Sequence, residues 1–262
     1  MLRSLVLVWS SIGFGANALA DGLTVPTPLV GTEASAAPTE GTPRWSRAIF
    51  EDDVETLSGL LATVGDVDFA TPRGKTALMA AAKADDLALV EALLTAGADI
   101  NLFNHNGGTA LMYAAGFGAL ALVERLLAAG ADPNHRASNG WTALMMAAAK
   151  DRPRVVTALL RSGGDPNIAD VYGWTPLMRA AYEGQASAVA ALLADARIDL
   201  KAVNDKEQTA LHLACIHGDV AIVQALVAKG ASAEEVDALG YTPRGIAKAQ
   251  GFDAVVAVLE GS

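Results

Sequence analysis

A hexapeptide, Gly140-Trp141-Thr142-Ala143-Leu144-Met145, sets the strongest constraint on this chain, because near-copies of it return at an almost fixed interval. The copies begin at Gly74, Gly107, Gly173 and Gly240, with a degenerate one at Glu207. Aligned on Thr76, Thr109, Thr142, Thr175, Thr209 and Thr242, they step by 33 residues, with one step of 34. A period of that size describes stacked supersecondary units, each too small to bury its own apolar face, rather than one thick globular core. Composition agrees. Apolar residues make up 52% of the chain but aromatics only 5%, which suits thin layers of small side chains.

Each position of the copy has a physical task. The threonine is a helix N-cap, its hydroxyl accepting a backbone N–H of the first turn. Pro176 and Pro243 follow it where a fixed φ helps and a missing N–H costs nothing. Leu78, Leu111, Leu144, Leu177 and Leu211 point into the layer, and alanine pairs such as Ala114-Ala115 let neighbouring helices approach. Nine residues after the threonine, Gly118, Gly184, Gly218 and Gly251 mark a turn that needs the left-handed region; Asp52, Asp85 and Asp151 replace them in other copies. A second helix follows, with Val90/Leu93/Leu94, Val123/Leu126/Leu127 and Val156/Leu159/Leu160 as apolar stripes, closed by Gly97, Gly130, Gly163 and Gly230.

The period and the T-P-L-H-like tetrapeptide resemble the ankyrin repeat, a β-turn followed by two antiparallel helices, over residues 43–262. The resemblance implies an all-α repeat solenoid, an array of helix-turn-helix units with β-turn fingers. Its repeats fall near 43–70, 71–103, 104–136, 137–169, 170–203, 204–236 and 237–262, the first and last as caps. In the first, Ala48-Ile49 and Leu60-Leu61 occupy the core slots, and Trp45, Arg47, Glu51 and Asp53 give a more polar outer face. The irregular stretch Ala194-Asp195-Ala196-Arg197-Ile198 carries one extra residue and no cap glycine. A bulge and a weak joint between repeats five and six are expected there.

Residues 1–20 have the layout of a secretory signal: Arg3, an apolar run from Leu5, and small residues at Ala18 and Ala20. Cleavage after Ala20 is expected, with 21–42 a flexible linker rich in Pro, Thr, Gly and Ala. The alternative is an uncleaved anchor, which Ser10, Ser11 and Asn17 oppose by interrupting the run. The mature protein is expected in the periplasm or secreted, monomeric and without stable membrane insertion. The sequence is similar to ankyrin proteins that bacteria export, some of them associated with protection against oxidative stress.

A net charge of −10 excludes a basic stripe for nucleic acid, and one cysteine excludes an intramolecular disulfide. The cluster His212/Cys215/His217 raises the alternative of a metal site or enzyme. Against it, the resemblance gives His212 a structural task, bonding to its threonine and to a neighbouring turn, and Cys215 is a small apolar filler. Met79, Met112, Met145 and Met178 stand in the histidine slot of four other copies. No catalysis and no cofactor are expected. His105 and His135 read as solvated turn residues.

The resemblance implies a protein partner, bound through the concave face of fingers and first helices. The residues in those slots are Trp141, Trp174, Tyr172 and Tyr241 on fingers, and Tyr113, Phe117, Met146, Arg179, Tyr182 and Glu183 on helices. Trp, Tyr and Arg dominate interface energetics because they combine large apolar area with a polar handle. Trp141 is read as the member of the hexapeptide without a structural task. The competing reading is that Trp141 and Trp174 stack on one another and stiffen the fingers. A further functional alternative is an exported effector that engages a host protein.

Overall fold

Residues 44–261 are described by the computed structural model. The expected signal peptide, its cleavage point and the 21–42 linker lie outside the described residues. Among the described residues, fourteen short helices follow one another in pairs. They are α1 (Arg44–Glu51), α2 (Val54–Leu60), α3 (Ala77–Lys83), α4 (Leu87–Thr95), α5 (Ala110–Phe117), α6 (Leu120–Ala128) and α7 (Ala143–Ala149). The series continues with α8 (Pro153–Arg161), α9 (Pro176–Tyr182), α10 (Ala186–Leu193), α11 (Ala210–His217), α12 (Val220–Ala228), α13 (Pro243–Gln250) and α14 (Asp253–Glu260). Odd-numbered helices pack on one another in one row and even-numbered helices in a second row behind it. Among the described residues there is no named strand, only an isolated bridge between Phe103 and Thr109. The fold is an all-α repeat solenoid. No described helix is long and apolar enough to cross a membrane.

These helices have seven to nine residues, too few to hold together alone in water. Their ends and their stacking supply the stability. Each of the six threonines caps its helix, accepting from Met79, Met112, Met145, Met178, His212 or Gly245. Six of the seven residues of α3 are buried, Ala77 to Ala82, which only small side chains and a thin layer permit. The four histidine-slot methionines are at most 1% exposed and form apolar packing along the stack. In the even helices the stripes close the second row: Val90 and Leu93, Leu122, Val123 and Leu126, and Val156 and Leu159 are all fully buried. Ala48, Ile49 and Leu57 fill the first repeat. Trp45, expected on its polar outer face, is instead 6% exposed, because the indole is the largest apolar group α1 has to cover the end of the core.

Two ladders bind the repeats outside the helices. Backbone N–H groups of successive fingers donate to the preceding finger: His105 to Arg73, Ser138 to Asn106, Val171 to Asn139, Asp205 to Tyr172 and Ala238 to Lys206, at 2.9–3.1 Å. The approach is close enough that a Cβ on Gly140 would lie 2.8 Å from the Cα of Asp170, and Gly140 also has φ of +83°. The second ladder runs between the loops that follow the even helices. Asp68, Asn101, Asn134 and Asn167 accept from the N–H of Asp99, Asp132, Asp165 and Asp199 in the next repeat. The three asparagines donate in turn to the carbonyls of Gly130, Gly163 and Arg197. The extra residue near Ala196 is therefore absorbed within its loop. Arg197 supplies the carbonyl that the cap glycine offers elsewhere, without its positive φ, and its side chain ties Asp195 to the Leu160 carbonyl. The rung fails one step later, where Lys201 occupies the asparagine slot and an ammonium has no lone pair to offer.

Candidate functional site

The site residues divide by what surrounds them. Trp141 is 4% exposed and Tyr113 is 2% exposed, so both are packing residues, and the reading of Trp141 as free of structural work is overturned. The cause is Arg179, which projects from α9 in the next repeat. Its guanidinium lies 5.1 Å from the Trp141 ring centre and 4.4 Å from that of Trp174, and its Nη2 donates to Asp170 at 2.5 Å. The two indoles thus flank a shared cation rather than stacking on each other. Such contacts are worth about 1 kcal/mol each when partly buried. Tyr113 accepts from the Asn104 amide at 3.0 Å.

Asp170 and Asn104 belong to a set that sequence reasoning passed over. At the base of four of the six fingers an Asx oxygen accepts two N–H groups of the same turn: Asn104 from Asn106 and Gly108, Asp170 from Tyr172 and Trp174, Asn204 from Lys206 and Gln208, Asp237 from Leu239 and Tyr241; the slot holds Thr71 and Ala137 in the other two. This Asx geometry replaces backbone partners in the turn. The signal was present as an Asn or Asp five residues before the threonine, or six residues before the helix begins. Asp170 does double duty, since its other oxygen fixes Arg179.

Trp174, Tyr182 and Tyr241 are half-buried, and Tyr172 and Phe117 are 59% and 47% exposed. Three of the rings on the odd-helix face meet as a corner. Trp174 and Tyr182 are perpendicular with centroids 5.2 Å apart, and Tyr182 meets His217 of the next repeat edge-on at 4.8 Å. Edge-to-face contacts of this kind exceed their area burial by about 1 kcal/mol. His217, at the last turn of α11, joins the corner by tertiary position alone. Burial lowers its pKa and raises those of Tyr182 and Glu183. For Tyr182 the Glu183 charge adds to the rise and Arg179 opposes it; for Glu183 both Arg179 and Lys150 oppose it. Phe117 stands two repeats away and does not join this corner.

The His212/Cys215/His217 group does not converge. Both ring nitrogens of His212 are committed: Nδ1 accepts from the Thr209 N–H at 3.1 Å, and Nε2 donates to the Tyr241 carbonyl at 3.2 Å. Cys215 is buried, and desolvation pushes its thiol up to about 12, so no thiolate is ready as ligand or nucleophile. No group of three potential metal-binding side chains occurs among the described residues. His135 is half-buried rather than solvated, its ring 5.2 Å from Phe103 and its Nε2 3.0 Å from the Gly107 carbonyl.

Capped helix pairs and linked fingers define a helical-repeat solenoid. The family profile for ankyrin repeats in three copies matches residues 45–137 and 112–204, and that for a single ankyrin repeat matches 206–238. The chain belongs to the ankyrin-repeat family, whose members are generally protein–protein interaction modules without catalysis. No curated protein matches the chain.

Proposed function

We propose that this chain is an exported, non-catalytic scaffold that binds a protein partner on the odd-helix face of repeats five to seven. The observation that carries the reading is the half-open corner of Trp174, Tyr182 and His217, set beside exposed Tyr172 and half-buried Tyr241. Rings fixed by neighbours yet still accessible lose little entropy on binding, which is the property of interface anchors. The high thiol pKa of Cys215 and the occupied ring of His212 support a non-catalytic role. The signal-like layout of residues 1–20 supports export.

Because Trp141 is packed, the informative position is Tyr182. A photo-crosslinking residue placed at Tyr182 should trap a partner in the native compartment, whereas one at Ala190, exposed on the even-helix row, should not. Equal trapping at both, or none at Tyr182, would defeat the assignment of this face. Intact mass of the protein released by osmotic shock tests export, with Asp21 expected as the first residue.

A further inference from the structure

One charged group on the corner is left unanswered by the chain itself. Glu183 ends α9 as its C-cap residue and follows Tyr182 directly. It is half-buried, yet among the described residues no hydrogen bond or ion pair closes on its carboxylate. Arg179 lies one helical turn earlier, but its Nη2 is already held by Asp170 and its plane is occupied by the two indoles. Lys150, in the same slot of the preceding repeat, is exposed and acts on Glu183 only at longer range. Desolvation outweighs both cations, and the acid is held above its ordinary pKa. A half-buried carboxylate without a partner is a cost the fold carries; its charge acts on Tyr182 next to it, whose ring in turn meets His217 edge-on.

We infer that the corner receives a lysine or arginine side chain from the protein partner, with Glu183 as its counter-ion and Tyr182 and His217 flanking its alkyl stem. The inference rests on the proposed function and names the chemistry of the anchor. Aromatic rings attract a cation through their quadrupole, and a carboxylate already stripped of part of its water gives a charge-assisted hydrogen bond more strength than a fully solvated one. The overall charge of −10 favours encounter with a basic segment. The chain does not supply that cation from its own linker: residues 21–43 contain Asp21, Glu33 and Glu40 but no lysine or arginine.

The test uses a peptide Leu-Xaa-Leu flanked by Gly-Ser, acetylated and amidated, with arginine, lysine, citrulline, norleucine or glutamate at Xaa. Binding to the full-length mature protein is followed by amide and side-chain NMR shifts. The arginine and lysine peptides should bind about tenfold tighter than the citrulline and norleucine peptides, with shifts centred on Tyr182, Glu183 and His217. Glu183→Gln should bring the series within about threefold while the thermal midpoint holds or rises slightly, since the variant removes the cost of the unpartnered charge. Lys150→Ala, which removes a competing cation, should tighten the arginine peptide. Equal binding of norleucine and arginine, an unchanged preference in Glu183→Gln, or no binding by any peptide overturns the basic-anchor assignment. Crosslinking at Tyr182 separates the two levels: a trapped partner with an indifferent peptide series sinks only the anchor, and no trapped partner sinks both.

Discussion

His212 fills a slot that methionine occupies in four sister repeats, and the exchange changes what the slot does. The methionines only pack; the imidazole also closes a capping box on Thr209 and reaches the Tyr241 carbonyl in the next finger. Burial, its largest influence, lowers its pKa below the ordinary 6.5. On acidification the unfolded chain takes up the proton first, so this stabilisation is complete above about 6.5 and declines as pH falls towards and through the folded pKa. His212→Met should therefore cost about 1 kcal/mol at neutral pH, by removing the capping box and one of the two donors to the Tyr241 carbonyl, which keeps the Asp237 N–H. It should also flatten the loss of stability between neutral and mildly acidic pH, as read by urea unfolding at both. An equally steep loss in the variant would put the titration elsewhere, His217 being the next candidate. The threonine caps were legible in the sequence because cap chemistry is local. Trp141 was not: the group that buries it, Arg179, comes from the following repeat. The same position one repeat further on is Leu213, which brings no planar cation to Trp174 and leaves that ring partly open.

At the level of the element, the turns show how far a local pattern reaches. Aspartate stands in the left-handed region at Asp52, Asp85 and Asp151, with φ of 56°, 56° and 51°, in the slots where sequence placed it. Asp151 also gains a partner that no periodicity reveals, accepting from the Ala188 N–H in the first turn of α10. That helix has no side-chain cap of its own, so the cap arrives from the preceding repeat. The finger glycines carry a stricter demand, since both φ and the neighbouring backbone exclude a side chain at Gly140. Gly140→Ala should cost about 2 kcal/mol or more. In the irregular copy Glu207 holds φ of +58° without glycine's freedom, and Glu207→Gly should gain about 1 kcal/mol, less the entropy glycine adds to the unfolded chain. Chemical denaturation of the pair decides: both signs must come out as stated, because they test the same backbone requirement from opposite sides.

For the whole molecule, stability is a sum of repeat terms and joints between neighbours, so one poor joint sets where the array opens first. The finger ladder runs unbroken from Arg73 to Ala238. The loop ladder links repeats one to five and stops at Lys201. The weak joint expected from the extra residue finds a different candidate cause: the insertion is absorbed around Arg197, and the side-chain acceptor is missing one step beyond. Lys201→Asn restores the missing side chain. By the spacing of the other rungs, with Asn134 reaching Asp165 and Gly163, the new amide would meet the Ser232 N–H and the Gly230 carbonyl. Both bonds would be solvent-exposed, so the gain is about 0.5 kcal/mol or slightly more. Amide exchange is the sharper readout than a global midpoint. In the wild type, α11 to α14 should exchange through an opening that leaves α3 to α8 protected. In Lys201→Asn that difference should narrow, beginning at Ser232. Uniform protection along the wild-type array, or a variant in which Ser232 exchanges as before, would show that the finger ladder alone couples the repeats and that the lost rung carries no weight.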